Sequence, residues 1–152
     1  MKTPRTMLLC LALIACVVTA AFAQFAKPED AIAYRKSVMT LIGHHFGLMA
    51  AVVKGQKPYV PDAFKRNAML VETFSKLPWE AFMVPGTDKG DTRLLPKAFK
   101  EPSKFHEDAQ KFEAEAAKLA TVSQSGDFEA VRSQFGEVGK ACQQCHKAFR
   151  SR

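Results

Sequence analysis

The chain has 152 residues, the length of one domain, and a formal net charge of +7. Its basic residues alternate with acidic ones, as along Lys97–Lys118. That balance describes a solvated surface and argues against the dense basic patterning of a nucleic-acid binder.

The N-terminus reads as a leader. Lys2 and Arg5 precede an apolar run from Met7 to Phe22, interrupted only by Thr19, and Ala21-Phe22-Ala23 forms a small-x-small cleavage site before Gln24. This is the pattern of a secretory signal peptide, too short for a comfortable membrane span. Residues 1–23 are expected to leave on export, with 24–152 as one mature domain. Leu13-Ile14-Ala15-Cys16 offers a competing lipoprotein signal, with Cys16 as a lipidated N-terminus, although it lies in the middle of the apolar run. Either cut exports the chain. Loss of Cys10 and Cys16 leaves Cys142 and Cys145, three positions apart. A disulfide between them would close almost no loop, so the pair needs another use.

The mature chain shows helical spacing four times and no useful strand alternation. A first helix is expected from about Pro28 to Lys54, opened by Pro28 with Glu29 and Asp30 at the positive dipole end. One seam reads Tyr34, Val38, Leu41, His45, Leu48, Val52; its neighbour reads Arg35, Met39, Ile42, Phe46, Met49, Val53. A second helix is expected from about Asp62 to Leu77, with Phe64, Ala68, Val71, Phe74 and Leu77 as its stripe. The turn-rich stretch Pro85–Pro96 follows, read as a surface loop without a functional role. A third helix runs from about Glu101 or Ser103 to Ser123 on the seam Phe105, Ala109, Phe112, Ala116, Leu119, Ser123. Asp127 caps a fourth, whose seam is Phe128, Val131, Phe135, Val138, Cys142, Cys145, Phe149. The spacing and connections predict an all-α chain, an antiparallel four-helix bundle.

Cys142-Gln143-Gln144-Cys145-His146 is the Cys-x-x-Cys-His attachment pattern of c-type haem. On a helix, positions i and i+3 face one way, so both sulfurs can bond the two vinyl groups of one porphyrin edge. Position i+4 lies beside them, so the imidazole can reach the iron. Both cysteines stand on the core-facing seam, which predicts a covalent haem within the bundle. A thioredoxin-type dithiol would need a βαβ setting, which the pattern lacks. A zinc site would need more ligands, and the remaining histidines are scattered. His44, His45 and His106 are read as structural or surface groups.

Further motifs carry a resemblance. They are Tyr34-Arg35-Lys36-Ser37 with Met39, His45-Phe46-Gly47, Val53-Lys54-Gly55, Leu77-Pro78-Trp79-Glu80-Ala81-Phe82, Phe135-Gly136-Glu137-Val138-Gly139, and Cys142 through Arg150, close to the C-terminus. Over nearly all of residues 24–152 the chain resembles the class II c-type cytochromes, specifically cytochrome c′. The resemblance implies a five-coordinate, high-spin haem, nitric oxide and carbon monoxide as ligands, a periplasmic location and a homodimer. His146 would hold the iron and Arg150 would flank that imidazole. Arg35 would pair with a haem propionate. Met39 and Phe82 would cover the vacant face, and Trp79 would pack beside the haem.

An apolar roof offers no hydrogen bond to a bound gas. Dioxygen gains from such a donor, whereas carbon monoxide and nitric oxide need it less. The main expectation is therefore a gas-binding protein that sequesters or carries nitric oxide. The alternative is an electron carrier with His146 and Met39 both on the iron, since a thioether can coordinate; its basic surface would suit acidic redox partners. An enzyme, a nitric oxide reductase or a peroxidase, is the third reading. Against it, Met39 and Phe82 cannot shuttle protons.

Overall fold

The computed structural model describes residues 24–152, so the leader and its two cysteines lie outside the described residues. Five α-helices form among the described residues: α1 (Pro28–Val53), α2 (Pro61–Ser75), a short α3 (Lys97–Lys100), α4 (Pro102–Val122) and α5 (Phe128–Phe149). Three of the four long helices open on proline, whose missing N–H would be unpaired in the first turn anyway. The other, α5, opens on Asp127, whose Oδ1 accepts from the backbone of Glu129 at 3.0 Å and Ala130 at 3.2 Å. After α1 the chain turns at Gly55, whose φ of 71° favours glycine.

α1 packs along α2, α2 along α4 and α4 along α5. The result is the expected antiparallel four-helix bundle. All four long helices feed one core, represented by Ile42, Val71, Leu119 and Val138. By length and composition α1 is apolar enough to cross a membrane; here its Val38, Ile42 and Met49 are buried in that core.

α1 and α5 meet through a stacked pair, Phe46 and Phe135, with ring centroids 4.3 Å apart. The Phe46 ring also reaches α5 at Gly139, 3.7 Å from where a Cβ would stand, an ordinary van der Waals distance. A second, smaller core closes one end of the bundle and contains Leu94, Ala98, Phe105 and Phe149.

The long connection between α2 and α4 holds a 3-10 turn at Glu80–Phe82 and the short α3. Neither is long enough to show a helical period, so neither was expected. The connection is tied to the end of α5 by Leu95 N–H to Phe149 O and Ser151 N–H to Arg93 O, both 2.9 Å. The seams of α4 and α5 are buried or half-buried at every expected position. Two expected core residues are not: Leu41 is 43% and Leu77 39% exposed. Leu41 lies past the edge of the face that α1 turns inward, and Leu77 falls beyond the end of α2.

Candidate cofactor site

A cavity of about 950 Å³ lies between α1 and α5 and is bordered by the loop segment. α1 contributes Arg35, Met39, Ile42 and Phe46. α5 contributes Cys142, Cys145, His146 and Phe149, with Arg150 just past its end. Trp79 and Phe82 from the connection and Phe105 and Phe112 from α4 line the cavity as well. All eight residues singled out from the sequence thus line one space: Arg35, Met39, Trp79, Phe82, Cys142, Cys145, His146 and Arg150.

The helical period explains the α5 wall. Cys142 and Cys145 are half-buried free cysteines on one face. Burial pushes both thiols up to about 11, so they stand as neutral SH groups at pH 7. His146 sits at the exposed rim. Partial desolvation and then the nearby Arg150 charge hold its pKa below the usual imidazole value. The ring is therefore neutral at pH 7, the form that ligates metal. Arg150 is exposed and borders both this cavity and a smaller one of about 530 Å³ on the outer side, which His146 and Lys147 also line.

Arg35 is the buried cation of the site, only 3% exposed. Its Nη1 donates to Ala81 O at 3.2 Å, and its Nη2 donates to Thr87 O and to Thr92 Oγ1, each at 2.6 Å. The guanidinium also lies over the Phe82 ring, 4.6 Å from its centroid. Burial lowers its pKa to about 10, partly countered by Asp88, and it stays charged at pH 7. Of its five N–H donors, the Nε–H and one Nη1–H have no partner among the described residues.

Trp79 is oriented by its indole N–H, which donates to Ser75 O at 2.7 Å, and its ring stacks on Phe82 with centroids 5.8 Å apart. His45, by contrast, serves α1–α2 packing: its Nδ1 bonds Asn67 Oδ1 at 2.8 Å, and its ring stacks on Phe74. Because the Asn67 amide nitrogen already donates to Ala63 O, Asn67 Oδ1 is the acceptor and His45 carries its proton on Nδ1.

The Pro85–Pro96 stretch corrects the sequence reading. It is no passive surface loop: Gly90, Asp91, Thr92, Arg93 and Leu94 line the cavity, and Thr87 is fully buried beneath Arg35. Its contribution runs largely through backbone carbonyls and hydroxyls, which carry no motif. A signal was available: two threonines and the pair Leu94-Leu95 in a segment otherwise made of turn and charged residues.

The donor set fits a covalently attached haem. Two neutral thiols and a neutral imidazole share one wall, and Met39, Ile42, Phe46, Phe82, Phe105 and Phe112 make much of the rest apolar. Arg35, Lys36, Arg93 and Arg150 give cations for a pair of carboxylates. The volume falls in the range of about 300–1,000 Å³ usual for small-molecule and cofactor pockets.

Comparison with known proteins points the same way. The family profile described as Cytochrome C′ matches residues 30–150. The curated cytochrome c′ of Alcaligenes xylosoxydans xylosoxydans is 44% identical over 129 residues, 85% of this chain and 99% of that protein. Cytochrome c prime from Shewanella frigidimarina superposes with a TM-score of 0.83 at 36% identity, covering 85% of this chain and 100% of that one. A nitric oxide complex and a carbon monoxide-bound form of variants of cytochrome c prime from Alcaligenes xylosoxidans both superpose with a TM-score of 0.77 at 43% identity. Each covers 85% of this chain, and they are matched over 99% and 100% of their own length.

Proposed function

This chain belongs to the cytochrome c′ family, and on that premise we propose that it is an exported, periplasmic haem protein that binds nitric oxide and carbon monoxide. One haem c, attached through Cys142 and Cys145, supplies an iron that binds diatomic gases and changes oxidation state. His146 offers its neutral imidazole to that iron. Partial burial, and after it the charge of Arg150, disfavour protonation of that ring. The two unpartnered donors of Arg35 suit a propionate carboxylate, for which a guanidinium is a good geometric match.

The single observation that carries the reading is the composition of the α1 wall facing those α5 residues. Met39, Ile42 and Phe46, with Phe82 beside them, bring no hydrogen-bond donor into the cavity. A gas held against these four side chains gains no polar contact from them, so this part of the wall favours small uncharged ligands by steric exclusion. The same residues offer no acid or base to move a proton, which supports binding over turnover. Lys36 and Asp91, the charged pair at the cavity edge, engage each other at 2.6 Å. The relatives captured with nitric oxide and carbon monoxide support the choice of ligands.

We infer a homodimer as the working form. Leu41 on α1 and Met69 and Leu70 on α2 are large apolar side chains left exposed, as an unpaired interface would leave them. A basic chain suits an acidic redox partner.

The test is the optical spectrum of the purified holoprotein, ferric and ferrous, before and after carbon monoxide. A high-spin spectrum that shifts with the gas supports an open iron position and a roof role for Met39. A low-spin spectrum unmoved by the gas means that Met39 or another group is on the iron, and the electron-carrier reading replaces this one.

A further inference from the structure

Asp108 is a carboxylate in the wrong place for an ordinary surface residue. It lies on α4, with a side chain only 1% exposed. Phe105 and Phe112, one turn before and one turn after it, both line the cavity. Its Oδ1 accepts from Lys104 Nζ at 2.7 Å and from Gln144 Nε2 at 2.6 Å. Gln144 is the residue immediately before Cys145, so this bond reaches from α4 into the attachment turn of α5. Asp108 Oδ2 is buried and has no hydrogen-bond partner among the described residues. The negative charge registers at Cys145, where it adds to burial in raising the thiol.

A charge held this way is poorly neutralised. Lys104, its one cationic partner among the described residues, is 42% exposed and also shared with Glu107, so its field is screened by water. Asp108 itself is out of water, where a charge acts more strongly over the same distance. A haem on Cys145 carries one more positive charge when ferric than when ferrous. A fixed negative charge beside the attachment turn stabilises the ferric form more.

We propose that Asp108 is a potential-setting residue: its buried carboxylate, held against the attachment turn by Lys104 and Gln144, favours the oxidised haem and lowers its reduction potential. The assignment rests on haem attachment at Cys145, and it adds a residue that no motif in the sequence marks. Its consequence for function is direct. A lower potential shrinks the ferrous fraction, and carbon monoxide binds ferrous haem.

The experiment is a spectroelectrochemical titration of the holoprotein at neutral pH with three variants. Asp108→Asn keeps the shape and an acceptor oxygen for both partners and removes the charge; its midpoint potential is expected to rise. Lys104→Met removes the partial neutralisation; its midpoint is expected to fall. Gln144→Ala cuts the α4–α5 bond and leaves the charge; its midpoint is expected to stay near the wild-type value. An unchanged midpoint in Asp108→Asn, or shifts of the same sign in Asp108→Asn and Lys104→Met, would overturn the proposal. So would a Gln144→Ala shift equal to that of Asp108→Asn, since the effect would then belong to the helix contact. A pyridine haemochrome assay separates the two readings: wild-type protein without covalent haem overturns the haem reading and this proposal with it, whereas loaded protein with unmoved potentials overturns this proposal alone.

Discussion

Arg35 Nη2 donates to Thr92 Oγ1 at 2.6 Å, joining α1 to a loop residue 57 positions away. The same hydroxyl oxygen accepts from the backbone N–H of Leu94 at 3.1 Å. One small side chain therefore accepts from both a buried cation and the loop backbone beside the cavity. Next door, Lys36 and Asp91 form a second α1–loop contact of similar length, 2.6 Å, but with side chains 52% and 93% exposed. Length alone does not rank the two bonds. Desolvation does.

The ranking gives the first prediction. Thr92→Val keeps the shape and leaves two donors without an acceptor, one of them charged, at a cost of about 1–3 kcal/mol. Asp91→Asn breaks a solvated pair, and no measurable loss is expected. Denaturant unfolding of the holoproteins reads both. An equal loss in the two variants would contradict the ranking of the Arg35–Thr92 contact above the Lys36–Asp91 pair.

A second prediction concerns the core. Leu119 is fully buried on α4. Leu119→Ala should cost about 2–5 kcal/mol, the lost transfer energy plus the cavity left behind. Leu41→Ala, at a position 43% exposed, should stay within about 0.5 kcal/mol in the monomer. If the exposed α1–α2 apolar face pairs two copies, Leu41→Ala will instead lower stability in a way that depends on protein concentration.

Leu119 and Leu41 also mark how far the fold could be read from residue order. On α4 and α5 one stripe faces one core, so a 3-4 spacing identifies the buried residues. On α1 two adjacent seams compete. Periodicity says that the face is wide but cannot say where α2 and the cavity stop covering it, and Leu41 falls outside. The site shows the same division. Cys142, Cys145 and His146 are tied by local helix geometry, so their spacing sufficed. Arg35, Met39, Trp79, Phe82 and Arg150 came from motif resemblance, and all line the cavity. Thr87 and Thr92 act on Arg35 across more than fifty residues, and Asp108 accepts from Gln144 of α5 across 36. Contacts of that kind leave no trace in a local pattern.

The thiols yield a third prediction, for chain prepared without haem attachment. Thiolate is the reactive form, and burial moves both cysteines from the ordinary 9.0 up to about 11. Around pH 8 the folded chain should therefore alkylate with iodoacetamide on the order of 100-fold more slowly than the chain in denaturant, by thiolate fraction. Linkage fixes the sign for stability. Between about pH 9 and 11 the folded state keeps protons that the unfolded state has released, so stability falls as pH rises through that window. Mass-spectrometric labelling and urea midpoints on either side of the window check the two halves. Equal labelling rates in folded and unfolded chain would show that the α5 cysteines are not held against the core.

Met39 provides the sharpest test of the α1 wall. Its side chain lines the cavity from α1 and packs against the main core. A thioether can either fill space or coordinate, and three variants separate the roles. As a roof, Met39 raises the barrier to ligand entry by bulk alone. Met39→Leu preserves the volume and should leave both the high-spin spectrum and the carbon monoxide association rate near wild type. Met39→Ala opens the wall, and association should speed up about tenfold or more, equivalent to removing roughly 1.4 kcal/mol of barrier. Met39→Gln keeps the length but brings an amide into an apolar wall; it should lower the affinity gap between carbon monoxide and dioxygen by giving bound dioxygen a donor. As an iron ligand, Met39 behaves differently: wild type is low-spin, and all three variants turn high-spin together, because each removes the sulfur. Stopped-flow carbon monoxide binding alongside the ferric spectrum distinguishes a graded steric response from an all-or-none change of coordination.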